Sequence, residues 1–111
     1  MPRDDAYLLD ILIAARKALK FTAGVSREQF EKNELVQSAA MYTLEVVGEA
    51  AGRISETFHN SHPEIPWHKM VGMRNRIIHE YFRVDYGVVW DTIQNDLPNL
   101  VKQIEALVPP E

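Results

Sequence analysis

"GMRNRIIHEYF", Gly72 to Phe82, sets an arginine, an asparagine, a histidine and a tyrosine inside an otherwise apolar run. Read as a helix at 100° per residue, with Arg74 at the zero of the wheel, the segment has one apolar side. Trp67, Met70, Val71, Met73, Ile77, Ile78, Tyr81 and Phe82 fall within one half-turn, and Arg74 stands near its middle. Asn75 and His79, four residues apart, share one border of that face, whereas Arg76 and Glu80 point towards solvent. A guanidinium centred on an apolar stripe is costly unless an anion meets it. The spacing therefore predicts a packed helix, running from Pro66 to about Phe82, that needs a negative charge opposite Arg74.

The same periodicity extends outward in both directions. "DDAYLLDILIAARKALKF" has Leu8, Leu9, Leu12, Ala15 and Leu19 at helical spacing with acids at its start, and Gly24 ends it. Ser26 and Gln29 have the form of a capping box, and Asn33 is placed to cap a second start, so a short helix is expected before a long one. From Glu34 to about Phe58 the apolar residues keep three-and-four spacing. Gly48 and Gly52 lie one turn apart within it, at a cost of ~1 kcal/mol each against alanine, which points to a second backbone close by. "HNSHPEIP" reads as a loop, with Pro66 suited to the first turn of the motif helix. Asp85 is placed to cap the last helix, where Pro98 should force a kink or a split after Asn95. No strand pattern or repeat is visible. The expected architecture is a single all-α domain over residues 1–111: an up-and-down bundle of four main helices with a possible fifth short one.

Composition narrows the function. There is no cysteine, which removes disulfides, thiolate zinc sites and cysteine nucleophiles. The longest apolar run is far below the ~20 residues that a membrane span needs, and no leader pattern stands out, so a cytoplasmic location is the default expectation. The formal net charge of −4 argues against attraction of nucleic acid to the whole surface. Between Pro66 and Arg83, however, Lys69, Arg74, Arg76 and Arg83 face Glu80 alone, a local balance of about +3. A Gly-rich phosphate loop is lacking, which leaves a nucleoside triphosphatase unsupported.

Arg74, Asn75 and His79 are a set that can cleave RNA through its own 2′-hydroxyl. Histidine moves protons near neutral pH. An arginine fork stabilises charge on phosphoryl oxygens without a metal or other cofactor. Asn75, one turn before His79, can orient the imidazole or contact the phosphate. One helix supplies one histidine, whereas in-line transfer prefers a base and an acid on opposite sides; a two-fold dimer would supply both. The competing reading is structural. Glu45 or Glu49 would then neutralise Arg74, His79 would be a scaffold residue, and Tyr81 a core aromatic with its hydroxyl at the edge. His59, His62 and His68 invite a metal site, but no carboxylate or thiolate completes a set.

"RNRIIHEY", Arg74 to Tyr81, resembles the R-x4-H-x-Y signature of the HepT family, minimal HEPN-domain ribonuclease toxins of prokaryotes. "LEVVGEAAGRIS", "HPEIPWHKMVGMRNRIIHEYF" and "VWDTIQNDLP" are similar to that family in the same order, and with the leading helix they cover most of the chain. The resemblance implies a HEPN-like fold and a metal-independent RNA endonuclease. It assigns catalytic roles to Arg74 and His79, and a supporting role at the RNA phosphate to Asn75, which Arg76 would share. It also implies a homodimer with both motifs facing one cleft. The partner would be an MNT-type nucleotidyltransferase antitoxin that transfers AMP to Tyr81. An AMP ester there would add charge and bulk where RNA phosphate must sit. A second function remains open, a non-catalytic nucleotide- or RNA-binding subunit of a nucleotidyltransferase.

Overall fold

Four long helices run up and down in the computed structural model, which describes residues 3–108. They are α1 (Arg3–Thr22), α3 (Glu34–Arg53), α5 (Trp67–His79) and a composite last helix, α6 (Tyr86–Asp91) continuing into α7 (Leu97–Glu105). Two short helices, α2 (Arg27–Lys32) and α4 (Glu56–Ser61), occupy connections, and no strand occurs among the described residues. The fold is thus all-α and HEPN-like. None of these helices is long and apolar enough to cross a membrane.

The directions follow from single contacts. Asp4 at the start of α1 accepts hydrogen bonds from the Ser55 backbone N–H (2.9 Å) and hydroxyl (2.7 Å) just beyond α3, so α1 and α3 are antiparallel. Gly48 abuts Met70 and Arg74 while Gly52 abuts Val71, which sets α5 antiparallel to α3. Arg16 pairs with Glu105, and Gln94 reaches Thr22, running the last helix back along α1. Leu8, Ile11, Leu44, Val47, Ile77, Val89, Ile93 and Ile104 fill the space between them and are almost wholly buried.

Local chemistry sets most boundaries. Gly24 adopts φ +75° after α1, a left-handed conformation that favours glycine. Ser26 and Gln29 form the reciprocal capping box of α2, and Asn33 Oδ1 accepts from the Val36 N–H to start α3. Asp85 accepts from the N–H groups of Gly87 and Val88 at the start of α6. Pro98 is accommodated by a π-helical turn over Thr92–Asp96, after which α7 restarts with the proline in its first turn. The helix thus widens just before the proline without being split.

Three expectations are corrected. The long helix stops at Arg53 rather than near Phe58, because Ile54 turns extended and Ser55 caps a new helix through the Phe58 N–H. "HNSHPEIP" is accordingly not all loop, since α4 takes its first three residues. The motif helix ends at His79, not Phe82: residues 80–83 form a turn closed by the Arg83 N–H donating to the Glu80 carbonyl. Tyr81 and Phe82 therefore leave the helical wheel, and Phe82 is 95 % exposed. Aromatic residues at 81 and 82 and a branched Val84 are weak helix formers, and Asp85 must already begin the next helix.

Candidate functional site

Arg74 reaches its position because Gly48 lets α5 approach α3. A β-carbon on Gly48 would overlap the Arg74 Cβ and lie 2.7 Å from the Met70 carbonyl oxygen. Gly52 has no such reason, since a β-carbon there meets only Val71 Cγ2 at 3.6 Å, an ordinary contact. The apolar half of the motif wheel divides accordingly. Trp67, Met70 and Ile77 enter the core, whereas Arg74 and Ile78 line an open groove.

That groove has a volume of about 340 Å³. Tyr7 and Asp10 contribute from α1, Glu45, Glu49 and Arg53 from α3, and Arg74 from α5. The anion that the sequence demands is Glu49, whose Oε1 lies 3.1 Å from Arg74 Nη2. The other carboxylate oxygen accepts from Arg53 Nε at 2.8 Å. Hydrogen bonding from Arg53, reinforced by its charge and that of Arg74, holds the Glu49 carboxyl below its usual range, so it is anionic at neutral pH. The Arg53 guanidinium is pushed up in turn by Glu49, with Tyr7 adding to it. The Arg74 and Glu49 side chains keep 35 % and 44 % of their surface, so the pair is open to water and not an internal lock.

The second guanidinium nitrogen, Arg74 Nη1, donates to Asn75 Oδ1 at 3.0 Å. Asn75 in turn precedes His79 by one turn on the outer flank of α5, and both are exposed. Arg74 and Asn75 are thus brought into direct contact. His79 shares the flank but does not line the groove. Arg76 faces solvent and, like Arg83, has no acidic partner within ion-pair distance among the described residues, whereas Lys69 is taken by Asp96 at 3.0 Å. Tyr81 is 42 % exposed in the turn after α5, its ring edge-on to Phe82 at 5.2 Å between centroids.

Two of the other histidines hold the scaffold, whereas His68 is exposed. His59 stacks on Trp67 with centroids 4.6 Å apart, and its Nε2 lies 2.8 Å from the Ala51 carbonyl oxygen. His62 packs against Phe58, and its carbonyl accepts from the Trp67 indole N–H at 3.0 Å. Arg53 and Tyr7 were not singled out by sequence, although the four-residue step from Glu49 to Arg53 was a visible signal for the first.

An all-α bundle with Arg74 in an open groove, Asn75 bonded to it and His79 exposed one turn beyond on the same helix has the residue types of a nuclease, and these three are its candidate site. Comparison with known sequences agrees with that class. The profile of the "Ribonuclease HepT-like" family matches residues 11–107. "Probable ribonuclease HepT" of Thermococcus cleftensis is 41 % identical over 101 residues, covering 91 % of this chain and 92 % of that protein. "Putative RNase" proteins of Methanocaldococcus jannaschii include one that is 37 % identical over 110 residues, covering 97 % of this chain and 91 % of its own length. No solved structure matches at a significant level. The chain belongs to the HepT-like ribonuclease family, and that membership supports a ribonuclease activity.

Proposed function

We propose that the chain is the toxin of a toxin–antitoxin pair, a single-domain, metal-independent RNA endonuclease that acts in the cytoplasm as a homodimer. The observation that carries this reading is Arg74 lining an open groove and bonded to Asn75, with His79 exposed one turn further along α5. His79 takes the proton of the RNA 2′-hydroxyl as its oxygen attacks the adjacent phosphorus. Arg74 stabilises the charge that gathers on the phosphoryl oxygens, and Asn75 and Arg76 hold the phosphate. The bond to the 5′-oxygen breaks, leaving a 2′,3′-cyclic phosphate, and the leaving oxygen takes a proton from the second copy's histidine. Exposed Ile78, Tyr81 and Phe82 at the same end supply apolar surface for that second copy.

Neutralisation follows by AMP transfer to Tyr81 from an MNT-type nucleotidyltransferase. Exposure of the tyrosine, two residues beyond His79, supports this part. The decisive assay is RNA degradation by purified, unmodified protein in chelator, beside His79→Ala and Arg74→Ala. Wild type should cleave and both variants should not; equal cleavage by all three means a contaminant and rejects the nuclease. Incubation with the nucleotidyltransferase and ATP should add AMP mass to wild type, and an undiminished mass shift in Tyr81→Phe rules out that acceptor.

Two observations favour a second reading. Arg74 already has a carboxylate partner and the chain carries a net charge of −4, which suits a non-catalytic subunit that only holds a nucleotide or RNA for a nucleotidyltransferase. RNA binding without cleavage in the same assay selects it.

A further inference from the structure

The Arg74 fork faces an anion before any RNA arrives. Glu49 gives one carboxylate oxygen to Arg74 and the other to Arg53, so two guanidinium groups share one charge. Arg53 stands one turn along the same helix, and its bond to Glu49 does not depend on α5. Withdrawing Arg74 therefore leaves the carboxylate paired. The Arg74–Glu49 contact is also solvent-screened, since both side chains are more than a third exposed. A phosphodiester offers the same fork two oxygens in a plane, a match that arginine prefers. Meanwhile Asn75 keeps hold of Nη1, so the guanidinium stays oriented while its other edge changes partner.

We propose that Glu49 is a displaceable stand-in for the RNA phosphate, holding one edge of Arg74 in the free chain and retiring onto Arg53 when substrate binds. The inference rests on the reading of Arg74 as the phosphate contact. It makes Glu49 a positioning residue that lowers RNA affinity by competition, and Arg53 the group that keeps the displaced carboxylate satisfied. Glu45 lines the same groove without an arginine within ion-pair distance among the described residues, which makes it the matched control for charge alone.

The test uses a fluorescein-labelled 2′-O-methyl oligoribonucleotide of mixed sequence, which the mechanism cannot cleave, with binding followed by anisotropy at low salt. Glu49→Gln should bind roughly three- to tenfold more tightly than wild type, within the range of a coupled pair. Glu45→Gln removes the same charge and should gain less. In an Arg74→Gln background the excess of Glu49→Gln over Glu45→Gln should vanish. A Glu49→Gln gain no larger than that of Glu45→Gln, or an equal excess with and without Arg74, overturns the proposal. If Arg74→Gln alone leaves binding unchanged, the phosphate role of Arg74 fails and the stand-in fails with it. Weakened binding in Arg74→Gln with a silent Glu49→Gln sinks the stand-in alone. Thermal unfolding of each variant shows whether it is folded.

Discussion

Gly48 on α3 and Arg74 on α5 are so close that no β-carbon fits between them. The obstacles are a backbone carbonyl and the base of the arginine side chain, neither of which can swing aside. Gly48→Ala should therefore push α5 outward and destabilise the fold by up to about 2 kcal/mol, the overpacking cost less the gain in helix propensity. Gly52→Ala meets ordinary contact only, and should stabilise by about 0.5–1 kcal/mol. Urea unfolding of the two variants checks the contrast, and equal effects would dismiss the close approach as the reason for Gly48.

Arg74→Lys keeps the charge but not the fork. A lysine can sit on Glu49 or near Asn75, yet it cannot hold both with fixed planar donors and still meet two phosphoryl oxygens. Cleavage of RNA should fall by about 10²–10³-fold, the usual loss for a group aimed at developing oxyanion charge. Single-turnover cleavage rates measure it; a rate within a few-fold of wild type would reduce Arg74 to a point charge.

The parts of this fold that were legible in the sequence are those in which cause and effect are neighbours. Ser26 with Gln29, Asn33 and Asp85 cap the helices they precede, and Pro98 breaks the ladder it sits in. Periodicity also exposed the mismatch of Arg74 with its stripe. It left two acids open as partners, because Glu45 and Glu49 stand one turn apart on the same face, and only the packing of Arg74 beside Gly48 selects the second. The break at Ser55 was hidden, since Ile54 and Phe58 continue the helical spacing across it while the staple comes from Asp4, 51 residues away. A helical wheel places Tyr81 on the apolar face only if the helix goes on, and it stops at His79.

That staple carries a pH dependence. Hydrogen bonds from Ser55, its hydroxyl foremost, hold the Asp4 carboxyl below its ordinary value of 3.8. Folding therefore favours the carboxylate: the contribution is fully present above 3.8, and it fades as pH falls through the lower folded value. Asp4→Ala should be less stable than wild type at pH 7, and the gap should close in acid below 3.8. Ser55→Ala also loses the α4 cap, about 1 kcal/mol, and part of its deficit should persist in acid because the bond to the Phe58 N–H does not titrate. Denaturant midpoints across the pH range separate the two. A gap for Asp4→Ala that stays constant into acid would falsify the staple.

Ile78 tests the shared cleft. It borders the groove beside Arg74, is 44 % exposed and belongs to the apolar end formed with Tyr81 and Phe82. Replacing it by aspartate removes a half-buried apolar side chain and sets a carboxylate in the last turn of α5, so the monomer should lose about 1–2 kcal/mol, read separately by urea unfolding. Between two copies the same carboxylate would face apolar surface and its own symmetry mate. Sedimentation velocity should then show Ile78→Asp as a monomer at concentrations where wild type is dimeric. RNA cleavage should fall with it if, as proposed, the second copy's His79 protonates the leaving oxygen. A monomeric variant that cleaves at the wild-type rate would mean that one copy of Arg74, Asn75 and His79 is sufficient, and the second proton would have to come from water.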